Sequence, residues 1–402
     1  MTHHPLMADQ TLFRDPDLFD ADHLPETFHY RDTQMEALAL SLRPALRGGS
    51  PLNTVLRGPP GTGKTTAARY IFAQVEETTC RVVPILVSCQ AERTAHTVYT
   101  KLFTALIGHP PPSHGTSGTS LLAAVGRTLA ERGTVLVVGL DDANYLAPKG
   151  VLNEVLARIL RLHESYPGAR TGVVMTDSST DTDLSRVLDR ATYSVLCPNE
   201  VAFHPYTAEE VRGILGDRLQ VGVYPGVVPP AVLDLVVERT VACGDVRVGL
   251  HLLNEAVLHA ERAGRTAVEV GDVEAAFAVA RHTRLTAGVQ TLAPQERAVL
   301  SVLAGMVRRG EETTSGRVYE AVAAVEPMCY TRFYERLKRL EALDLVTRRQ
   351  RKIGQGWTRE IVVREGVEEM VGPVPAGSSG ASLQSVTGVA EDEKCRYEGG
   401  RG

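Results

Sequence analysis

The 402-residue sequence predicts an α/β P-loop domain, a helix-only domain and a carboxy-terminal winged helix-turn-helix. Three observations carry this expectation. Gly58-Pro59-Pro60-Gly61-Thr62-Gly63-Lys64-Thr65-Thr66 follows the β-type run Thr54-Val55-Leu56 and opens a helix-compatible segment from Lys64 to Gln74. Continuous apolar runs then alternate with helical stretches, the mark of a parallel sheet with helices on both faces. After Tyr206 the pattern turns to helices alone, and it closes on three helices and a glycine-containing β-hairpin.

The loop fits G-x-x-x-x-G-K-[ST] in the strand–loop–helix context that the motif requires. Its glycines let successive backbone N–H groups point inward at phosphate oxygens, and the following helix N-terminus adds partial positive charge. Lys64 supplies a point charge to the β- and γ-phosphates, and Thr65 offers a hydroxyl where Mg²⁺ sits. Gly61, Thr62, Gly63 and Thr66 complete the expected phosphate cradle. The chain is expected to bind a nucleoside triphosphate.

Ahead of the loop, Leu24-Pro25-Glu26 and His29-Tyr30-Arg31 precede a helical pattern from Asp32 to Arg47. A segment entering a P-loop strand commonly wraps the adenine side, so Pro25, Tyr30 and Arg31 are candidates, with plain surface packing as the alternative. After it come the strand run Val82–Ser88, helices over Thr94–Leu106 and Leu121–Glu131, and the run Val135–Leu140 ending in Asp141-Asp142. Thr171–Met175 and Val201–Phe203 supply the remaining strands. Asp141, at the carboxyl end of a central strand, is placed to orient Mg²⁺ waters. Asp142 is the candidate to polarise an attacking water, although Asp is a methylene shorter than Glu.

Thr207-Ala208-Glu209-Glu210 is a capping-box start for a helix to Leu219. Pro229-Pro230, Asp245 and Asp272 begin three more. Arg247 sits in a first helical turn, where it opposes the helix dipole, so a contact with the γ-phosphate or a surface ion pair should hold it there. Helices over Pro294–Arg309, Ser315–Val325 and Thr331–Leu343 precede the β-type runs Leu345–Arg348 and Arg359–Val363. Arg332, Arg336 and Arg339 on the third helix, with Arg348, Arg349, Arg351, Lys352 and Arg359 on the hairpin, form a basic set suited to DNA phosphates and base edges. A solvated charged face, or a winged helix turned to protein, is the alternative.

The boundaries expected are 1–205 for the nucleotide domain with its amino-terminal extension, 206–288 for the helical lid, 289–371 for the winged helix and 372–402 for a disordered tail. A net charge of -5 means that nucleic-acid binding must come from a local basic patch. The six cysteines form no C-x-x-C pair, which speaks against a zinc site and a disulfide framework. The sequence contains neither a signal-peptide pattern nor a membrane-length apolar run, so a cytoplasmic protein without membrane attachment is expected.

Taken together, the order resembles the archaeal origin-recognition initiators, AAA+ proteins related to eukaryotic origin-recognition and cell-division-control ATPases. The resemblance runs from Leu12 to Val371. It is carried by Pro25 through Arg31, Ser88 through Thr94, Leu140 through Leu146, Gly244-Asp245-Val246-Arg247, Phe203-His204-Pro205-Tyr206 with Arg218, and Gly354 through Ile361. It implies ATP/ADP and Mg²⁺ as ligands, with Tyr206 and Arg218 contacting ATP and Arg247 as sensor 2. Double-stranded origin DNA, the replicative helicase and other initiator copies on DNA are the implied partners, with the protein at the nucleoid. Three departures touch hydrolysis. Asp141-Asp142 stands where the family has Asp-Glu, Thr176-Asp177-Ser178 stands where sensor 1 has Asn, and Arg190 is a position out of step as arginine finger. ATP binding with slow or lost hydrolysis is therefore expected. A nucleotide-gated transcription regulator and a helper ATPase loading another DNA-acting complex remain open at this point.

Overall fold

The computed structural model describes residues 11–371 except 113–114, 179–182, 354–355 and 365; at 350–353 and 356–358 it describes the backbone only. The expected tail, 372–402, and Gly354 and Gln355 lie outside the described residues.

The apolar runs become the strands β1 (Thr54–Arg57), β2 (Val82–Ser88), β3 (Val135–Asp141), β4 (Arg170–Asp177) and β5 (Asn199–Ala202). All pair in parallel in the order β2-β3-β4-β1-β5. Side chains alternate across a strand, and here both faces are covered. Val137 joins a core with Leu38, Leu56 and Phe72, whereas its neighbour Val138 joins the opposite core with Leu102, Leu129 and Leu156. That is why β3 is apolar at successive positions rather than alternate ones. Gly139 is the exception forced by packing: a Cβ there would stand 2.6 Å from Leu86 and 2.7 Å from Phe72.

Helices Lys64–Thr78, Ala95–Ile107 and Gly118–Arg132 follow the expected pattern. The crossover from β3 to β4 also holds the helix Val151–Leu160, for which no element was expected; it buries Leu152, Val155, Leu156 and Ile159. The topology brings the carboxyl ends of β1, β3 and β4 side by side, with the glycine-rich loop leaving β1 between them.

The chain divides into two compact units, residues up to Ala280 and residues from Arg281. The first holds the sheet together with helices Ala208–Gly222, Pro230–Cys243 and Val246–Arg262. Thr207 and Glu210 make the reciprocal capping box that their spacing predicts. Val211, Leu215, Val236, Leu252 and Ala256 form the core of these helices, and Phe13 and Phe19 from the amino-terminal segment are part of it. That segment is tied down by N–H groups of Arg14 and Asp15 donating to the Gly222 carbonyl, and by an antiparallel bridge between Phe13 and Val223. Further along, Asp22 accepts from Arg69 and Glu26 from Tyr70 through their carbonyls, both donors lying on the loop helix. The segment thus spans from the lid core to the helix that follows the glycine-rich loop.

The chain enters the second unit along the helix Val270–Gln290. Helices Pro294–Arg308, Ser315–Val325 and Tyr330–Ala342 pack with an antiparallel pair, β6 (Val346–Ile353) and β7 (Gly356–Val363). Phe333, Leu337, Leu340, Leu303 and Ile361 are its core. The strands run further than the apolar residues do, from the pair Val346–Val363 out to Ile353–Gly356. An antiparallel ladder needs only backbone groups, so the basic stretch between the two apolar runs continues it.

Candidate functional site

The loop from Gly58 to Gly63 turns under the lid. Gly63, at φ +89°, is the N-cap of the helix Lys64–Thr78. A Cβ at this position would stand 2.7 Å from the Tyr206 hydroxyl, so strain and space both require glycine. Lys64 is buried, and its Nζ donates to the carbonyls of Gly58 (2.8 Å) and Pro59 (2.7 Å). Burial lowers its pKa from the ordinary lysine value.

Opposite the loop, the Asp141 Oδ1 accepts from the hydroxyls of Thr65 and Thr176, each at 2.7 Å. Burial raises the Asp141 pKa against the pull of these hydroxyls. Asp142 lies in the left-handed region at φ +54°, which Asp tolerates better than most residues. Its Oδ1 accepts from Ser178 Oγ and its Oδ2 from Gln90 Nε2, each at 2.8 Å, while its N–H donates to Thr176 Oγ1 at 2.7 Å. Gln90, Thr176 and Ser178 entered the sequence analysis only inside stretches of resemblance, with no site role of their own. Their signal was position, because residues at or just beyond the carboxyl ends of parallel strands face the ligand crevice.

From the lid, Asp245 caps the helix Val246–Arg262 and grips Arg247, with Nε donating to Oδ1 at 3.0 Å and Nη2 to Oδ2 at 2.7 Å. These elements enclose a cavity of about 870 Å³. Gly61, Gly63, Lys64, Thr65, Thr66, Asp141, Asp142, Tyr206, Arg218 and Arg247 line it, together with Gln90, Ser178 and the segment from Asp20 to His29, which includes Pro25. Among the described residues there is no group of three or more His, Cys, Asp and Glu that would hold a metal by itself.

Five expected site residues turn their side chains away from this cavity. Arg31 is 4% exposed and works behind the loop. It donates from Nε to the Thr62 carbonyl (3.1 Å) and from Nη2 to the His204 carbonyl (2.8 Å), and lies 3.7 Å from the Tyr206 ring centroid. Tyr30 instead packs its hydroxyl on Gly213. Thr62 is fully buried, with its hydroxyl donating to the Pro59 carbonyl. Asp177 turns to Arg57, 3.6 Å away, because alternation along β4 sends Thr176 to the site and Asp177 to the other face. Arg190 is exposed on the first turn of the helix Arg190–Leu196. None of the five lines the cavity. Lysine cannot reproduce the fork of Arg31, and Arg31→Lys should cost about 2–3 kcal/mol of stability through unpaired buried carbonyls. Urea unfolding at constant slope would measure it.

In the second unit, Arg332, Arg339, Arg349 and Arg359 are exposed. Arg336 is turned inward to Gln295 and Glu296, and Arg348 to Glu341 while stacking on Tyr334. The acidic partners lie in contact on neighbouring elements, which the linear sequence does not display. The side chains of Arg351 and Lys352 lie outside the described residues.

Residues 47–177 match the AAA domain family, and residues 212–278 match the Cdc6 AAA+ ATPase-type lid domain. ORC1-type DNA replication protein 3 of Haloarcula marismortui is 40% identical over 357 residues, covering 88% of this chain and 94% of the relative. ORC1-type DNA replication protein 2 of Methanosarcina acetivorans is 39% identical over 343 residues, covering 85% and 90%. Among solved structures, the Aeropyrum pernix ORC1 protein in complex with DNA superposes with a TM-score of 0.67 at 28% identity, over 89% of this chain and 96% of that one. The Aeropyrum pernix ORC2 protein, solved as ADPNP-ADP complexes, shares the fold with a TM-score of 0.70 at 22% identity, over 90% and 96%. On the identity of the curated relatives over most of its length, the chain belongs to the family of ORC1-type DNA replication proteins.

Proposed function

We propose that this protein is an ATP-switched DNA replication initiator that engages double-stranded origin DNA through a winged helix at residues 289–371 and helps recruit the replicative helicase. The observation that carries the reading is the convergence of Lys64 and Thr65 from the loop helix and Asp141 from β3 with Arg247 from the lid on one cavity, in a member of this family. Thr65 and Asp141 present hard oxygen donors to the same point, which suits Mg²⁺ brought in with phosphates better than a preformed all-protein cage. Such an ion would neutralise charge between the phosphates. Lys64 and the loop N–H groups bind them, Arg247 reads the terminal one, and Tyr206 and Arg218 close the site from the lid.

Hydrolysis is slow in this reading, because the Asp142 carboxylate, a methylene shorter than Glu, is held back by hydrogen bonds from Ser178 and Gln90 that also make it a weaker base. Nucleotide state then acts as a switch rather than as fuel.

On the DNA side, Arg332, Arg339, Arg349 and Arg359 supply phosphate contacts. Releasing counterions from about four phosphates gives log K against log salt a slope of about −3 to −4. Footprinting of the full chain on origin repeats across a salt series tests this. An origin footprint with that slope supports the reading; a promoter footprint supports a transcription regulator; a flat salt response defeats DNA engagement by the basic face.

A further inference from the structure

The cations at the phosphate end of the cavity are already held by acceptors of the protein itself. Lys64 Nζ is shared by two loop carbonyls, of Gly58 and Pro59, and the Nε–Nη2 edge of Arg247 is taken by the two oxygens of Asp245. The Asp245 carboxylate also lies against the loop, since a Cβ built on Gly61 would stand 2.0 Å from its Oδ1. It therefore puts negative charge beside the backbone that faces the phosphates, on the same guanidinium edge that makes two parallel bonds to a phosphate.

We propose that Asp245 competes with the terminal phosphate for Arg247, so that triphosphate binding proceeds by exchange of Arg247 from carboxylate to phosphate and Asp245 sets the preference for triphosphate over diphosphate. The proposal rests on the nucleotide reading above and adds its regulation. A diphosphate takes Lys64 from its carbonyls and leaves the Asp245–Arg247 pair intact. A triphosphate must displace both sets of internal bonds.

The test is calorimetric titration of the full chain with Mg-ATP and with Mg-ADP. Asn and Ser both cap helices well, so Asp245→Asn and Asp245→Ser remove the charge while keeping the helix start. With the competing charge gone, ATP affinity should rise about tenfold and ADP affinity by less than about twofold. Adding Asp245→Asn to Arg247→Ala should bring no gain in ATP affinity, because the competitor acts through Arg247. Unchanged or weaker ATP binding in both single variants overturns the proposal, as does an equal gain for both nucleotides or a gain that persists without Arg247. If the parent chain binds neither nucleotide, the nucleotide reading itself has failed, and the two failures are distinct.

Discussion

Lys64→Ala should weaken ATP binding by about 30-fold or more, because truncating one partner of a buried charge-assisted contact costs about 2–5 kcal/mol. The lysine is 4% exposed, so water and salt replace little of what it supplies. The variant also removes the bonds to the Gly58 and Pro59 carbonyls, which sit where the loop leaves β1. Thermal unfolding with and without nucleotide separates the effects. Ligand stabilisation, which scales with occupancy, should vanish, while the intrinsic midpoint falls only modestly. Retained affinity would remove the phosphate role from Lys64.

Asp142→Glu should raise ATP turnover by about 10- to 100-fold, within the range a positioned general base contributes. The added methylene carries the carboxylate about 1.5 Å further from its backbone, out of register with Ser178 and Gln90. A carboxylate released from those donors is a stronger base and reaches further toward an attacking water. Glu is less at ease than Asp at φ +54°, so a stability loss of about 1 kcal/mol should accompany the gain. Phosphate release under saturating ATP is the measurement. Rapid turnover by the parent chain, lost on Asp142→Ala, would contradict the slow-hydrolysis reading outright.

What the sequence displays depends on the range of the cause. The glycine-rich loop, the caps at Thr207 and Asp245 and the doubly buried β3 are local patterns, and each lies where it is expected. Asp177 was a candidate through the resemblance of its stretch to sensor 1, yet a strand buried on both faces hides from the sequence which of its positions face the ligand crevice. Register decides that, and it gives the site Thr176 and Ser178. Arg31 deceived for another reason. Its partners are backbone carbonyls at Thr62 and His204, and a carbonyl has no letter in the sequence. The same holds for Arg336 and Arg348, whose charge looks available until the fold places Glu296 and Glu341 beside them.

The amino-terminal segment has a practical consequence. The AAA domain match begins at residue 47, and a boundary drawn there would discard Phe13 and Phe19. Both rings are at most 4% exposed, so the excised piece would leave greasy holes among the helices Ala208–Gly222, Pro230–Cys243 and Val246–Arg262, far along the chain. The smallest self-standing version of the first unit therefore starts upstream of Phe13, well before the glycine-rich loop.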